Sequence, residues 1–415
     1  MRGEVVLRRH GIDVIEIARM EAALSRSGPG FLARAFTPAE IAECGGMAVR
    51  LAGRWAAKEA VIKCFDATPI CFPRRRIEIL SGPGGAPRVR LLGDAQGARV
   101  QVTIAHDAGL AVAGAWLEMP EPWERPPAPP GAVRLPERPP DGHKGTFGTV
   151  VVVAGSRGLT GAAYLSATAG VRAGAGLVRL LVAEGIYPIL AVKCTEAMAT
   201  PLPEEGPGAL GPTALGEIEE HLGTARAALL GPGLGRHPAT WELVRRLVPR
   251  IGCPLVLDAD ALNALGEVRG RLGRPGDVPR VLTPHPGEMA RLTGRSTREI
   301  QGARQEVAIA AAREWEAVVV LKGARTVVAA PDGRRSEDPH QVPALASGGT
   351  GDVLGGLIAG LIAQGLDPYT AAVTGVYVHA EAGRRLEARL GTAGVLASEL
   401  LGEIPPVMKT MRESR

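Results

Sequence analysis

Hydrophobic and polar positions divide the chain into two patterns. Between residues 149 and 323 the apolar positions form short, unbroken runs: TVVVVAG (149–155), GLVRLLVA (176–183), AALLGPG (227–233), PLVLDAD (254–260), RVLTPHP (280–286) and AVVVLKG (317–323). Runs of this length without alternation predict strands buried on both faces, in a mostly parallel, helix-covered sheet. A stretch of helical character, GAAYLSATAGVRAGAG (161–176), follows the first of them. The runs end in glycine or polar clusters: AGS, GPGLG, DADALN, TPHPGE and KGAR. In an open α/β sheet, ligands lie beyond the carboxyl ends of the strands.

Residues 1–118 read differently. VIEIARMEAALSRSG (14–28) has helical spacing, and Thr37, Pro38 and Glu40 form a capping box with proline at the first helical position. Residues 50–65 form a long helix. RRIEIL (75–80), PRVRLL (87–92), VQVTIAH (100–106) and LAVAGAWLE (110–118) alternate or run apolar as strands do. This half is expected to be α+β. Between the two patterns, residues 119–142 hold nine prolines, which neither pair inside a sheet nor continue a helix. They read as a semi-rigid linker, or as an arm packed on one domain. The expected organisation is a domain at 1–118, a linker at 119–142 and a domain at 143–408.

Composition narrows the function classes. A net charge of +5 over 415 residues is too mild to indicate nucleic acid, and no basic run is interleaved with aromatics. The five cysteines are scattered without CxxC spacing, so neither a zinc site nor a disulfide framework is expected. The amino terminus lacks signal-peptide features, and the apolar run 353–366 is too short and too glycine-rich to span a bilayer. A cytoplasmic protein without nucleic-acid or membrane partners is expected.

The stretch LASGGTGDVLGG (345–356) carries the sharpest local signal. Gly348, Gly349 and Gly351 can expose bare N–H groups at the start of an apolar helix, which makes an anion site. Thr350 or Asp352 can equally be an ordinary helix cap. The residues alone leave both readings open.

HKGTFG (143–148), GPGLG (231–235), DADALN (258–263), TPHPGE (283–288), LKGART (321–326) and GGTGDVL (348–354) occur in this order. Together they closely resemble the ADP/ATP-dependent NAD(P)H-hydrate dehydratases of the ribokinase-like fold, over essentially all of 141–408. The resemblance implies a repair reaction on the S epimer of hydrated NADH or NADPH, with ADP or ATP as co-substrate; ADP is the donor that prokaryotic relatives tend to use. It implies that Asp352 takes the proton of the attacking hydroxyl. Ala162, Gly233, His285 and Asp352 would contact the hydrate. Lys322, Gly323, Ala324, Arg325, Thr326 and Gly351 would hold the nucleotide. Asp258 and Asn263 are expected to shape their loop, and His143 and Lys144 to order the start of the first strand. Where the family shows a Gly-Asn-Pro-like turn, this chain has HQVPA (340–344). GGTGD fits a vitamin kinase of the same fold as well; HKGTFG with TPHPGE favours dehydration. The companion epimerase is expected to be a separate protein.

GIDVIEIARM (11–20) and RLAGRWAAKEAVIKCF (50–65), with FLARAFTPAEI (31–41), GGAPRVRL (84–91) and VTIAHDAGLAVAGAWLE (102–118), resemble the holo-acyl-carrier-protein synthases, which are phosphopantetheinyl transferases. The resemblance implies transfer of 4′-phosphopantetheine from CoA to a serine of acyl carrier protein. Asp13 and Glu59 would be Mg²⁺ carboxylates. Lys63, one turn beyond Glu59 on the same helix face, would reach the same phosphates. Without the resemblance, Glu59 and Lys63 read as a surface ion pair. His106, with Asp107, matches a position near the CoA phosphates. Arg19 and Arg26 match a basic face that docks an acidic carrier. The family's glycine-rich turn after the long helix is replaced by CFDATPICFPRRR (64–76). The alternative is a non-catalytic docking module. Both resemblances imply a homo-oligomer.

Overall fold

Helix α3 and strand β1 organise the amino-terminal part of the chain. In the computed structural model, which describes residues 6–65, 73–92, 98–120, 133–272 and 280–413, the chain forms two units, Met1–Arg125 and Pro126–Arg415. The first contains β1 (Val6–Glu16), α1 (Ile17–Ala35), α2 (Pro38–Cys44), α3 (Ala48–Phe65), β2 (Ile77–Ser81), β3 (Pro87–Leu91), β4 (Arg99–Asp107) and β5 (Leu110–Pro120). An antiparallel sheet has the order β1-β5-β4, and β2 pairs with β3. Residues 14–16 are strand, against the helical spacing of VIEIARM: Val14, Ile15 and Glu16 pair with Val112, Ala111 and Leu110. The sheet ladder, with two β-branched residues on it, outweighs local periodicity, and the helix starts at Ile17. The capping box at Thr37 and Glu40 is present in both directions.

The alanine-rich face of α3 packs Ala56, Ala57, Ala60 and Val61 on Val102, Ala113 and Leu117 of the sheet. At Gly11 strand and helix touch so closely that any β-carbon would run into the Ala60 carbonyl. That contact requires glycine.

The second unit contains β6 (Thr149–Val153), α4 (Thr160–Arg172), β7 (Leu177–Ala183), α5 (Tyr187–Lys193), β8 (Met198–Leu202), β9 (Glu204–Gly206), β10 (Ala209–Leu210), α6 (Leu215–Leu222), β11 (Ala227–Leu230), α7 (Pro238–Leu247) and β12 (Leu255–Leu257). It continues with α8 (Asp260–Leu265), β13 (Val281–Leu282), α9 (Pro286–Thr293), α10 (Thr297–Gly302), α11 (Arg304–Trp315), β14 (Val318–Leu321), β15 (Val327–Ala329), β16 (Arg335–Glu337), α12 (Thr350–Ala363), α13 (Pro368–Leu390) and α14 (Ala397–Glu413).

Among the described residues, nine of these strands form one sheet in the order β16-β15-β14-β13-β12-β11-β6-β7-β8. Pairing is parallel from β14 to β8, and β15 and β16 return antiparallel. The apolar runs at 149–323 are therefore strands of a helix-covered, mostly parallel sheet, as their lack of alternation predicts. The chain moves outward from β6 through β7 and β8, then returns to the other side of β6 as β11. β6 and β11 thus flank the switch point at which such sheets open a crevice. Helix α12 is almost wholly buried. Its Gly356 and Gly360 let it lie directly on the backbone of α4 at Ser166 and Gly170.

Residues 133–142 run along the second unit without regular structure. Leu135 is buried in that unit's core, and Arg138 stacks 3.7 Å over the Phe147 ring. Residues 121–132 of the proline-rich segment lie outside the described residues. No helix among the described residues is long and apolar enough to cross a membrane.

Candidate active sites

Three neighbouring strands each deliver a side chain to one point of the second unit. Asp258 follows β12, and its Oδ1 lies 2.8 Å from Nζ of Lys322, which follows β14. Thr283, after β13, donates to the same Oδ1 at 2.7 Å. Glu288, in the first turn of α9, stands 3.8 Å from Nζ. Ala259 holds φ at 50°, an unfavourable conformation for an alanine, and the chain turns there directly from Asp258 into α8. Asp260 then accepts from the Gly235 N–H at 2.8 Å, which ties DADALN to GPGLG. Asn263 donates to Asp260 and accepts from Arg291, so it shapes the loop. Asp258 does more than shape its loop, because it is the direct partner of Lys322.

Lys322 reaches over the first turn of α12, where a β-carbon on Gly351 would be 3.3 Å from Nζ. The helix is preceded by Gly349 at φ 92°, and no side chain caps it. Thr350 instead donates its hydroxyl back to the carbonyls of Leu345 and Ser347, at 2.9 and 3.1 Å. The cap reading of Thr350 or Asp352 therefore fails, and among the described residues the first-turn N–H groups have no side-chain partner, the condition for an anion site.

Asp352 is half-buried in that first turn. Burial pushes its pKa up to about 7, Asp258 adds to the rise, and Lys322 opposes it. Burial likewise pushes Glu288 up to about 7. Burial alone would lower Lys322, but Asp258 and Glu288 outweigh it and hold the ammonium above its ordinary value. His285 caps α9, its Nδ1 accepting from the N–H groups of Gly287 at 3.0 Å and Glu288 at 3.3 Å. Burial, then Lys322, push its pKa down.

Gly233 and Ala162 meet at the switch point. A β-carbon on Gly233, which has φ 60°, would be 2.8 Å from that of Ala162. The Gly155 N–H donates to the Pro232 carbonyl and the Ser156 hydroxyl to that of Gly233, both at 2.8 Å. A cavity of about 360 Å³ lies beside Lys322, lined by Gly323, Ala324, Thr326, Gly351 and an apolar wall that includes Val342 and Val376. Arg325 does not line it. Its side chain is exposed, 3.9 Å from Glu337, while its N–H donates to the His340 carbonyl at 3.2 Å. Ala162, Gly233 and His285 are also outside that lining.

HKGTFG is remote from these groups. It leads into the amino end of β6, where the Lys144 carbonyl packs on Gly176 and Gly148 on the Ala363 carbonyl at the far end of α12. Glu288, Asp260 and His379 were not singled out by the sequence. The three-residue spacing from His285 was the available signal for Glu288; His379 is a lone histidine on an apolar helix and had none.

In the first unit, Asp13 Oδ1 accepts from Lys63 Nζ at 2.8 Å, and Nζ also donates to the Ile12 carbonyl at 2.8 Å. Glu59 pairs with Arg74. The close approach at Gly11 brings Asp13, Glu59 and Lys63 to one region of the unit. His106 lies elsewhere. Its ring packs on Gly53, with Nε2 donating to the Val49 carbonyl at 3.0 Å. At 1.5 Å per residue, Gly53 is roughly 9 Å along α3 from Glu59. Asp107 ends β4. Arg19 and Arg26 are exposed on α1.

Lys58 is buried completely with Glu40, 2.7 Å apart, and also donates to the carbonyls of Arg74 and Ile77. It belongs to the core. No cluster of three or more His, Cys, Asp or Glu among the described residues could hold a metal ion. Asp13 and Glu59 are both ion-paired, with Lys63 and Arg74; a Mg²⁺ site with only one or two carboxylates takes the rest of its shell from phosphate oxygens and water.

Residues 150–406 match the sequence model of NAD(P)H-hydrate dehydratase, and residues 9–115 that of the 4′-phosphopantetheinyl transferase superfamily. A bifunctional NAD(P)H-hydrate repair enzyme of Moorella thermoacetica is 50% identical over 281 residues, 68% of this chain and 53% of its own length. An ADP-dependent (S)-NAD(P)H-hydrate dehydratase of Xanthomonas campestris is 41% identical over 65% of this chain and 91% of its own. The ADP/ATP-dependent NAD(P)H-hydrate dehydratase of Bacillus subtilis, co-crystallized with ATP/Mg²⁺, superposes with a TM-score of 0.57 and 34% identity, over 66% of this chain and 94% of that one. The chain spans about half the length of the bifunctional relatives it matches.

Proposed function

The chain belongs to the NAD(P)H-hydrate dehydratase family, and from that premise we propose that its second unit converts the S epimer of NADH or NADPH hydrate back to the reduced dinucleotide, using ADP or ATP. Hydroxide leaves poorly, so the hydroxyl is first phosphorylated. Asp352 takes the hydroxyl proton while the oxygen bonds to the terminal phosphorus of ADP. The bridging P–O bond breaks and AMP departs. The electron pair of the ring nitrogen then expels phosphate, and loss of a neighbouring C–H proton restores the double bond. Hydrate and ADP thus give NAD(P)H, AMP, phosphate and a proton.

Support comes chiefly from one arrangement: the Lys322 ammonium stands over Gly351, beside Asp352. A carboxyl that titrates near neutrality suits a general base. The ammonium and the uncapped helix turn suit the charge that develops on the transferred phosphoryl group. Gly323, Ala324 and Thr326 line the cavity that would take the nucleotide, while Arg325, in the same loop, lies outside that lining. Ala162, Gly233 and His285 would border the hydrate. Mg²⁺, when bound with the nucleotide, supplies charge neutralisation on its phosphates. The test is recovery of NADH absorbance from the hydrate with ADP. Phosphorylated product accumulating without NADH would instead indicate a small-molecule kinase.

For the first unit we propose transfer of 4′-phosphopantetheine from CoA to acyl carrier protein. The carrier's serine oxygen attacks the phosphorus next to the pantetheine, and adenosine 3′,5′-bisphosphate leaves. Asp13 and Glu59 would hold Mg²⁺, and Lys63 would orient the diphosphate. Arg19 and Arg26 would meet the acidic carrier. His106, on β4, packs against Gly53 of α3, and none of its contacts among the described residues reaches Asp13, Glu59 or Lys63. An exposed apolar strip on one face of the sheet, with Ile12 63% and Val14 55% exposed beside Val112 and Trp116, supports a homo-oligomer in which a neighbour's His106 completes the site. Incubation with apo carrier, CoA and Mg²⁺ tests this by the mass gain of one phosphopantetheine. No gain would leave a docking module. The cytoplasm is the proposed location, with the epimerase a separate protein.

A further inference from the structure

One group in the cavity beside Lys322 is unused by the proposed reaction. His379, on α13, lines that cavity together with Thr350 and Gly351. Its Nε2 lies 2.9 Å from the Thr350 carbonyl oxygen. A carbonyl can only accept, so Nε2 carries the ring proton. Burial pushes the pKa of the ring down to about 4, and the Lys322 charge works in the same direction. The imidazole is therefore neutral near pH 7, and Nδ1 is a bare acceptor. Among the described residues no donor takes it up, and the residue itself lines the cavity.

We propose that His379 reads the ribose of the adenine nucleotide, with Nδ1 accepting a hydrogen bond from a sugar hydroxyl. The inference rests on the nucleotide reading of this cavity. A bare acceptor repels phosphate oxygens, so its partner must be a donor. Adenine nucleotides carry two kinds of donor, the ribose hydroxyls and the 6-amino group. The tether to Thr350 decides between them. Thr350 immediately precedes Gly351, which Lys322 covers, so His379 sits at the phosphate end of the cavity. The sugar is the part of the ligand joined to the phosphates. The base fits the apolar wall formed by Val342, Pro343, Leu354, Val376 and Ala380.

The test compares KM for ADP, 2′-deoxy-ADP, 3′-deoxy-ADP and inosine diphosphate, using the full chain. One deoxy analogue is expected to raise KM about three- to tenfold, the worth of one hydrogen bond, with kcat held. In His379→Phe that ratio should fall to about one. In His379→Gln, whose amide can still donate to Thr350 and accept from the sugar, it should persist in part. If His379→Phe weakens all four nucleotides alike and leaves the ratio intact, His379 only fixes the start of α12 and the proposal is overturned. The same holds if the ratio it erases is that between ADP and inosine diphosphate, since the acceptor then reads the base. If His379→Phe does not fold, His379→Leu replaces it in the same comparison. Equal KM values for ADP and both deoxy analogues in the unmodified protein overturn the assignment without any variant. Absence of ADP binding altogether would count against the nucleotide reading itself.

Discussion

A β-carbon added to Gly351 would stand 3.3 Å from the Nζ of Lys322, closer than most side-chain contacts. The glycine leaves room for an ammonium and a phosphoryl group to share the first turn of α12. Gly351→Ala suits a helix, since alanine is the stronger helix former by about 1 kcal/mol. The variant is expected to keep or raise Tm while weakening ADP binding about tenfold or more. Calorimetric titration beside a thermal melt separates the two effects.

Asp352→Asn removes the proposed base and keeps the shape. Loss of a general base lowers kcat by about 10²–10⁴, and nucleotide binding should persist. Near-normal turnover would remove Asp352 from the mechanism.

The same carboxyl links activity to pH. Its folded pKa, about 7, lies above the ordinary carboxyl value. A base must be deprotonated, so kcat/KM should rise with pH and level off above about 7. Stability moves the other way. The folded state holds the proton that the unfolded chain loses near pH 4, so stability falls as pH climbs from about 4 through 7. Asparagine has no such proton. The Tm advantage of Asp352→Asn over the unmodified protein should therefore widen across that window and stay constant above it.

At the switch point, Gly233 has φ 60°, and a β-carbon there would meet Ala162 Cβ at 2.8 Å and the Leu159 carbonyl at 2.9 Å. Gly233→Ala is expected to raise KM for the hydrate about tenfold with ADP binding retained. Adding Ala162→Gly should recover part of the loss. An unchanged hydrate KM would place the hydrate elsewhere.

Two lysines on α3 have opposite expected fates. Lys58 is sealed against Glu40, and Lys58→Met leaves a buried charge unpaired at a cost of about 3–5 kcal/mol. The first unit should melt early or fail to fold. Lys63 is about half exposed, so Lys63→Met should leave the fold intact and lower phosphopantetheine transfer. Circular dichroism with the carrier mass assay distinguishes them.

Much of the second unit's architecture is legible from its apolar runs, because strands buried on both faces carry no competing pattern. The two-residue β13 at Val281–Leu282 is the shortest strand among those runs. The start of the first unit misleads, since VIE fits a helix locally and only the ladder to Val112, Ala111 and Leu110 makes it a strand. Lys58 and Lys63 share one motif, and nothing in their spacing says that one is core and the other is exposed. HKGTFG marks the family yet sits at the wrong end of β6 for chemistry. Glu288 and His379 gain their character from burial and from Lys322 and Thr350, neighbours brought close only by the fold.

The central claim is that the hydroxyl of the hydrate leaves as phosphate. The most direct test is to label that oxygen with ¹⁸O, supply ADP, and read the released phosphate and the water by mass spectrometry. Phosphorylation before elimination puts the label in inorganic phosphate, one atom per NADH formed. Label in water with unlabelled phosphate would mean that the ring loses water directly while the nucleotide is hydrolysed separately, and Asp352 would not be the base of a phosphoryl transfer.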